Sequence, residues 1–377
     1  MVGYNDAAYK RCLFFIIPTL GNGGAERVMI NLANHLVNHH KVILISLNSI
    51  EPAYAIDEQV IVHYLIKQRR NGRAARIFYA WLTFYKLMRL MLKEKPYRVI
   101  SFITSANFWT GIICIITNTP YIVSERTSPQ RAIQNRTGWQ KSLLAFIYKK
   151  ADAVVISAAN VGQYLVKISQ FKELKNIQQI PNAVTQFPQP TTTQVHPRRF
   201  VLGVGRLAFV KGFDILIDAF ALLQNPGVDL LIVGDGEERI ALEAQCHNLG
   251  LQDRVFFTGA KSNVQDYYSQ AELFVLPSRN EGYPNALIEA MSFGCACVAV
   301  DCDYGPREII KNMHNGLLVP QNNSDALAAG MNDILTNPAL KKKLQHHAML
   351  INQTNSAVRI SSLWQQAILG KYPPVLI

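Results

Sequence analysis

Residues 273–289 predict a strand, a tight turn and a helix in one uninterrupted stretch. The apolar run Leu273–Leu276 has the length and composition of a buried strand. Gly282 and Pro284 predict a turn after it, and Pro284 suits the start of a helix over residues 285–293. A helix that begins beside a strand end presents free backbone N–H groups there, and such groups bind anions, above all phosphates.

Two carboxylates, Glu281 and Glu289, bracket this turn. On a continuous helix their Cα atoms would lie roughly 12 Å apart, at ~1.5 Å per residue. The carboxyl pair of a glycosidase works across only ~5–9.5 Å. The spacing therefore suits the two ends of one long ligand, such as a nucleotide sugar with its diphosphate over the helix N-terminus. The alternative is an ordinary helix with two solvated glutamates.

The second half of the chain alternates predicted strands and helices from residue 200 to residue 276. Such alternation predicts a parallel sheet covered by helices on both faces. Ligands bind such sheets at the carboxyl ends of their strands. Arg206, Lys211, Gly234 and Glu281 each follow a predicted strand, so we expect them at one edge of this sheet.

A set of short motifs occurs in a fixed order between residues 13 and 335, and together they resemble the retaining GT-B glycosyltransferases of family 4. One is the pair of glutamates separated by seven residues after Leu-Pro-Ser. The others are Gly-Asn-Gly-Gly-Ala-Glu at 21–26, Gly-Val-Gly-Arg-Leu at 203–207, Gly-Asp-Gly at 234–236, Gly-Pro-Arg-Glu at 305–308 and Asn-Gly-Leu-Leu-Val-Pro at 315–320.

The resemblance implies an α/β chain with the GT-B fold, in which two Rossmann-like domains with parallel sheets face each other across a cleft. Two domains also suit a chain of 377 residues. We expect an acceptor-side domain at 1–184, a linker rich in Gln, Pro and Thr at 185–197, and a nucleotide-sugar domain at 198–355. A C-terminal helix at about 356–377 is expected to pack back on the first domain.

The resemblance also implies the reaction: a sugar passes from a nucleotide sugar, expected to be a UDP-sugar, to a glycan hydroxyl with retained anomeric configuration. The expected acceptor is a lipid-linked glycan in envelope-polysaccharide or glycan-precursor assembly. No cofactor or metal is expected, and the departing diphosphate helps to deprotonate the acceptor. An epimerase or a phosphorylase of the same fold is the alternative.

Roles carry over from the family to matching positions. Arg206 and Lys211 would neutralise the diphosphate, Glu281 would contact the sugar, and Glu289 would bind the ribose hydroxyls. The predicted catalytic residues are Glu281, Arg206, Lys211 and Arg126. The predicted donor-binding residues are Gly23, Gly24, Gly205, Arg206, Lys211, Gly234, Asn285, Ala286, Leu287 and Glu289.

In the first domain, the glycine loop 21–24 separates a predicted strand from a helix and is expected to face the donor diphosphate and sugar. The dinucleotide fingerprint fails there because Glu26 occupies its third glycine position. Many family members carry a histidine where this chain has Arg126. Arg126 could instead hold a phosphate through its forked guanidinium, or be a surface arginine after a strand.

The net charge of +12 is concentrated in residues 67–98, which hold ten Lys/Arg and one acid, Glu94. Residues 74–95 have helical character, and Trp81, Phe84 and Tyr85 lie among the cations. Wide apolar coverage with Trp and Lys/Arg predicts contact with an anionic membrane surface. The alternatives are a core helix with snorkelling cations and a nucleic-acid binder, but no nucleic-acid-binding motif is present.

The remaining composition predicts neither export nor a metal site. Six cysteines in a chain of this length do not form a disulfide scaffold, and no Cys/His set has zinc spacing. Neither a secretory signal nor a run of ~20 apolar residues is evident. We expect a cytoplasmic protein, peripheral on the inner face of the cytoplasmic membrane.

Overall fold

The structure, a computed structural model, describes residues 10–67, 72–126, 130–223 and 227–375. The chain divides into two compact units. The first unit comprises Met1–Pro181 together with Ile360–Ile377, and the second comprises Asn182–Arg359. Part of the predicted basic segment, including Arg69 and Arg70, lies outside the described residues.

The first unit contains a seven-stranded sheet in the order β3-β2-β1-β4-β5-β6-β7, and all its pairings are parallel. Most of its strands are rich in apolar residues, as is typical of a parallel sheet with helices on both faces. They are β1 (Cys12–Ile17), β2 (Lys41–Asn48), β3 (Ile61–Ile66), β4 (Arg98–Phe102), β5 (Tyr121–Glu125), β6 (Ala153–Ile156) and β7 (Ile177–Gln179).

Helices α2 to α5 of the first unit form one layer. The connections from β1 to β2 and from β2 to β3 run in one direction along the sheet, and those from β3 onwards run in the other. Because such crossovers are right-handed, α1 lies on one face and α2 to α5 on the opposite face. Within this layer α2 packs beside α3, and α3 beside α4. The helices are α1 (Gly24–Leu36), α2 (Arg73–Glu94), α3 (Thr104–Ile116), α4 (Gly138–Lys150) and α5 (Ala159–Lys167).

The second unit contains a six-stranded parallel sheet in the order β10-β9-β8-β11-β12-β13. Its strands are β8 (Arg199–Val204), β9 (Val228–Val233), β10 (Val255–Gly259), β11 (Leu273–Leu276), β12 (Cys297–Val300) and β13 (Leu317–Val319). Its helices are α6 (Phe213–Ala221), α7 (Arg239–Asn248), α8 (Val264–Gln270), α9 (Asn285–Ser292), α10 (Pro306–Ile309), α11 (Ser324–Thr336), α12 (Pro338–Ala348) and α13 (Ile351–Thr354). The prediction of two Rossmann-like domains with parallel sheets is confirmed.

Each sheet has a point where the strand order reverses, between β1 and β4 in the first unit and between β8 and β11 in the second. At such a point, neighbouring crossovers leave the sheet on opposite faces and open a crevice at the carboxyl ends of the strands. The fold therefore gives each unit one preferred place for a ligand.

The segment 185–197, predicted as a linker, lies on the second unit. The backbone N–H of Thr191 donates to Asp266 at 2.7 Å, and that of Val195 donates to the Gln270 side chain at 3.0 Å. His196 contacts the buried Asp229 carboxylate at 2.7 Å. These contacts fix the segment in spite of its loop-like composition.

The last helix, α14 (Ala357–Ile368), continues into the portion of the chain that belongs to the first unit. Arg98 donates from Nη1 to the Ala367 carbonyl at 3.1 Å. The fully buried Trp364 ring lies 5.6 Å from the Phe102 ring, centroid to centroid. The chain end thus completes the core beside β4.

Candidate active site

The carboxyl edge of the second unit's sheet carries most of the predicted donor residues. Arg206 follows β8, Gly234 follows β9 and Glu281 follows β11. Lys211 lies in a short 3-10 turn, Phe209–Lys211, between β8 and α6. Arg206 is exposed, whereas Lys211 is half-buried and Glu281 is buried. The parallel topology brings these side chains to one edge, as the sequence predicts.

Gly205 and Gly234 bring two strand ends into close backbone contact. The Gly205 N–H donates to the Val233 carbonyl at 3.0 Å. Gly234 has φ of +144°, and a Cβ built on it would lie 1.9 Å from the Gly205 carbonyl oxygen. A side chain at position 234 is therefore excluded by both conformation and space. The result is a close contact of two glycine backbones, bare of side chains, at the edge of the sheet.

Lys211, Glu281 and Ser278 form a compact polar cluster beside β11. The Lys211 Nζ lies 2.6 Å from Glu281 Oε1, and the Ser278 hydroxyl donates to the same oxygen at 2.7 Å. Because Glu281 and Ser278 are buried, these bonds fix the carboxylate more firmly than a surface ion pair would. The cluster holds a cation and a hydrogen-bond acceptor at one point of the edge.

Helix α9 begins at Asn285, immediately after the turn that contains Gly282 and Pro284. Pro284 occupies the N-cap and makes no side-chain capping bond. The N-terminus of a helix is the positive end of the helix dipole, so this one can receive an anion. Ala286 is half-buried, and Leu287 is anchored in the core. The Asn182 side chain donates to Asn285 Oδ1 at 2.7 Å, which fixes the start of the helix.

Glu289 lies on α9 and is buried. The Thr185 hydroxyl donates to its Oε1 at 2.7 Å, and the Tyr268 hydroxyl donates to its Oε2 at 3.2 Å. Two hydroxyls from separate segments therefore orient the carboxylate. Sequence reasoning misses both donors, because composition predicts a linker around Thr185 and local patterning predicts an ordinary helix around Tyr268.

In the first unit, the glycine loop between β1 and α1 holds a carboxylate. Gly23 is the N-cap of α1, and Gly24 is its first residue. The Glu26 side chain folds back over this loop and accepts a bond from the Thr19 hydroxyl at 3.2 Å. A Cβ on Gly23 would lie 2.1 Å from Glu26 Oε2. Burial raises the pKa of Glu26, and its carboxylate suits a hydroxyl donor better than a phosphate.

Arg126 follows β5 and is buried. Its guanidinium carbon lies 4.6 Å from the Phe102 ring centroid and 5.4 Å from the Trp364 ring centroid. The aromatic faces stabilise the cation. Burial lowers the pKa of Arg126 to about 9, which leaves the group charged at neutral pH. Arg126 is thus buried and stacked on aromatic rings, which contradicts the alternative that it is a surface arginine.

Glu125, the last residue of β5, is fully buried within a hydrogen-bonded network. It accepts bonds from Thr104 at 3.0 Å, from the Asn107 amide at 3.1 Å and from the Tyr148 hydroxyl. Burial raises the pKa of Glu125 to about 6, although these donors oppose the shift. No local sequence pattern indicates this role, because the donors come from α3 and α4.

The described part of the chain contains no group of three or more His, Cys, Asp or Glu side chains that could hold a metal ion. Across the same residues, no helix is both long enough and apolar enough to span a bilayer. In the second unit, the cations Arg206 and Lys211 and the N-terminus of α9 are groups of the kind that can receive a diphosphate.

The predicted site residues therefore fall into two groups. Gly23, Gly24 and Arg126 belong to the first unit. The second unit brings the others to the carboxyl edge of its own sheet or onto the adjoining helix α9: Gly205, Arg206, Lys211, Gly234, Glu281, Asn285, Ala286, Leu287 and Glu289. The structure adds Ser278, Thr185 and Tyr268 to this second group through their hydrogen bonds.

Two family models match adjoining parts of the chain. The model described as Glycosyltransferase Family 4 matches residues 22–185. The model described as Glycosyl transferases group 1 matches residues 189–350. The first match falls almost wholly in the first unit and the second falls in the second unit.

Curated relatives and solved structures resemble the chain over nearly its whole length. A Campylobacter jejuni protein named GalNAc-alpha-(1->4)-GalNAc-alpha-(1->3)-diNAcBac-PP-undecaprenol alpha-1,4-N-acetyl-D-galactosaminyltransferase is 29% identical over 89% of this chain and 91% of its own. The amylovoran biosynthesis glycosyltransferase AmsD of Erwinia amylovora is 27% identical over 89% and 93%. The crystal structure of Anabaena HepE with UDP-glucose superposes with a TM-score of 0.79 at 19% identity, covering 95% of this chain and 99% of that one.

Proposed function

The chain belongs to the GT-B glycosyltransferases of group 1, and we propose that it moves a sugar from a UDP-sugar to a hydroxyl of a lipid-linked glycan with retained anomeric configuration. The donor assignment rests on the groups at the carboxyl edge of the second unit's sheet. There the Lys211–Glu281 cluster, the bare Gly205–Gly234 backbone and the α9 N-terminus lie on one unit. This combination of cations and a helix N-terminus suits a diphosphate.

Within the proposed reaction, Arg206, Lys211 and the first turn of α9 hold the diphosphate and stabilise the charge that develops on it as the sugar leaves. Electrostatic groups fixed in advance are effective because they need no reorganisation during the reaction. The hydrogen bonds from Lys211 and Ser278 to Glu281 supply such fixation. Glu281 accepts a hydrogen bond from a sugar hydroxyl.

At the far end of the donor, Glu289 accepts hydrogen bonds from the ribose hydroxyls. Thr185 and Tyr268 hold its carboxylate in place. In the first unit, the carboxylate of Glu26 beside Gly23 suits a sugar hydroxyl, and Arg126 supplies a buried positive charge. The departing diphosphate accepts the proton of the acceptor hydroxyl, and no metal takes part.

The choice of donor and acceptor draws on the relatives. The Anabaena HepE structure contains UDP-glucose, and the Campylobacter relative acts on a glycan attached to PP-undecaprenol. The Erwinia relative belongs to the biosynthesis of amylovoran. These names support a UDP-sugar donor and a lipid-linked glycan acceptor in envelope-glycan assembly.

The proposal extends to location: the protein attaches peripherally to the inner face of the cytoplasmic membrane through residues 67–98. In support, Trp81, Tyr85 and Arg89 of α2 are exposed. A helix with exposed aromatic side chains and cations binds an anionic bilayer through apolar burial and charge together.

The test combines binding with transfer. A panel of nucleotide sugars is screened for thermal stabilisation, where a ligand at 100 times its dissociation constant adds about 2.7 kcal/mol to the free energy of unfolding. The stabilising donor is then radiolabelled and supplied with and without an undecaprenyl-diphosphate glycan. We expect labelled lipid product, with the anomeric configuration of the donor by NMR. Stabilisation only by nucleotides without uracil, or turnover of the donor without acceptor, would contradict the proposal.

A further inference from the structure

Helix α2 is apolar on two opposite faces. Its inward face buries Thr83, Leu87 and Met91 in the first unit. Its outward face exposes a second row of large apolar side chains: Ile77, Phe78, Trp81, Tyr85 and Leu92. Trp81 is 61% exposed, and its ring stacks on Tyr85 with centroids 5.6 Å apart. A helix of an ordinary soluble domain carries polar side chains on this side.

Helix α4 repeats this arrangement. Its inward side buries Leu144, Ile147 and Tyr148. On the opposite side, Trp139 and Phe146 are exposed, Trp139 by 66%, and the half-exposed Leu143 lies between them. Positions 139, 143 and 146 follow one helical stripe. No sequence prediction covered this helix, and it lies outside the basic segment 67–98.

Helix α3 lies between α2 and α4 and contains no charged residue. Phe108, Ile112 and Ile115 are half-exposed on its outer side, and Ile116 is exposed. Because the three helices are neighbours in one layer, their outer sides form a broad apolar surface, which we call the three-helix face. Contiguous exposed apolar surfaces of this kind mark interaction sites in soluble proteins.

On α2 and α4, the two helices that flank α3, cations outnumber acids. Helix α2 contains five Lys/Arg and α4 contains three, whereas the two helices together contain one acid, Glu94. The Glu94 carboxylate accepts a hydrogen bond from Lys41 at 2.7 Å. Arg76, Arg89 and Lys150 are exposed, as are the apolar groups that they flank, whereas Lys149 pairs with Glu173 at 2.9 Å. A second copy of the chain would bring like charges together, whereas an anionic lipid surface complements both the apolar surface and the cations.

We propose that the whole three-helix face, and not the 67–98 segment alone, is the surface that lies on the membrane, with Trp139 and Phe146 of α4 inserted at the lipid interface. The inference rests on the membrane attachment in the proposed function and deepens it. It also explains why α3 has no charge, since a helix that rests on lipid headgroups and acyl chains needs no solvated face.

The test measures binding of the full chain to phosphatidylcholine vesicles with and without phosphatidylglycerol. Replacement of both Trp139 and Phe146 by Ser should lower the partition coefficient on anionic vesicles about tenfold, because two aromatic side chains no longer enter the interface. The matched control is Ile240→Ser, which removes an 82% exposed apolar side chain from α7 of the second unit. UDP-induced thermal stabilisation checks that each variant is folded.

A second measurement, tryptophan fluorescence, tests directly whether Trp139 contacts the lipid. The chain has four tryptophans, and Trp364 is fully buried. In the variant Trp81→Phe/Trp109→Phe, lipid-dependent fluorescence changes therefore report on Trp139. Brominated lipids should quench this emission. Absence of quenching in a variant that still binds vesicles would overturn the inference.

The remaining outcomes distinguish attachment through the whole three-helix face from attachment through residues 67–98 alone. If Trp81→Ser/Tyr85→Ser loses vesicle binding while the α4 variant binds normally, the segment 67–98 acts alone, and the inference fails although the proposed attachment stands. If the wild type never binds vesicles, both fail. If sedimentation shows a dimer that the α4 variant dissociates, a second copy covers the face and the inference is overturned.

Discussion

Lys211 Nζ and Glu281 Oε1 are 2.6 Å apart at the carboxyl edge of the second unit's sheet. They come from separate segments of the chain, one before α6 and the other after β11, and Ser278 bonds the same oxygen. The pair keeps a cation and a carboxylate in fixed positions. In the proposed reaction the cation meets the diphosphate and the carboxylate meets the sugar, so their separation helps to set which part of the donor each can reach.

We expect Lys211→Ala and Arg206→Ala each to weaken UDP binding and to slow transfer by roughly two orders of magnitude, the cost of one preorganised group at the developing charge. Calorimetric UDP binding and single-turnover rates provide the measurement. Lys261→Ala is the control, since Lys261 is an exposed lysine of the same unit. Unchanged turnover in both site variants would remove these residues from the donor site.

The Thr185→Val variant should lose preference for the ribose hydroxyls, because Glu289 then lacks one of the hydroxyls that orient it. Hydrogen bonds to a charged group contribute about 1.5–3 kcal/mol. Calorimetry with UDP and with a 2′,3′-dideoxy analogue should show an affinity ratio of about tenfold or more for the wild type. We expect a clearly smaller ratio in Thr185→Val, whereas Thr185→Ser keeps the hydroxyl and the ratio. An equal ratio in all three proteins would contradict the orienting role given to Thr185.

Transfer should continue in EDTA, because two cations and a helix N-terminus are proposed to neutralise the diphosphate. The measurement is the initial rate with labelled donor after dialysis against chelator. Addition of Mg²⁺ or Mn²⁺ should leave the rate unchanged. Loss of activity on chelation, followed by recovery with either ion, would show that a metal supplies the charge instead.

Glu125 should make stability depend on pH. Burial raises the pKa of Glu125 to about 6, above its ordinary 4.5. The folded protein therefore binds the proton more tightly than the unfolded chain does. The resulting stabilisation is fully present below pH ~4.5 and is lost as the pH rises through about 6. The difference amounts to about 2 kcal/mol at 1.36 kcal/mol per pKa unit.

The thermal stability of the wild type is compared with that of Glu125→Gln, because a glutamine side chain has the shape of glutamate but does not titrate. Relative to this variant, the wild type should lose thermal stability between pH 4.5 and pH 7.5. The exposed Glu58→Gln serves as control. A constant difference between wild type and Glu125→Gln at every pH would show that the network holds Glu125 in one protonation state throughout.

The Gly234→Ala variant should destabilise the second unit and abolish the UDP-induced thermal shift. The new methyl group would meet the Gly205 carbonyl oxygen, and φ of +144° is strained for any side chain. Such strain costs about 1–3 kcal/mol before the clash is counted. Gly138→Ala provides the contrast, because nothing lies within 4 Å of its added Cβ. A stable variant that binds UDP normally would show that the strand ends can separate there.

The local pattern of the sequence determined which segments form strands and where a helix begins. Period-free apolar runs such as Leu273–Leu276 are strands of parallel sheets, and Pro284 precedes the first residue of α9, because turn chemistry and burial act over a few residues. Parallel topology then brings strand ends to one edge, so Arg206, Lys211, Gly234 and Glu281 could be assigned to one edge from the sequence. The ordered motifs identified the family.

Only the tertiary structure decided which side chains meet. Thr185 and Tyr268 bond Glu289 across long sequence separations, and Tyr148 reaches Glu125 from α4. No local pattern encodes such pairs, because the packing of whole elements sets their distances. Helix α4 itself was not predicted, since Trp139 and Phe146 place apolar groups on its outer side and blur the amphipathic pattern. A sequence shows that a side chain is apolar, whereas only the fold shows whether it is buried or faces outward.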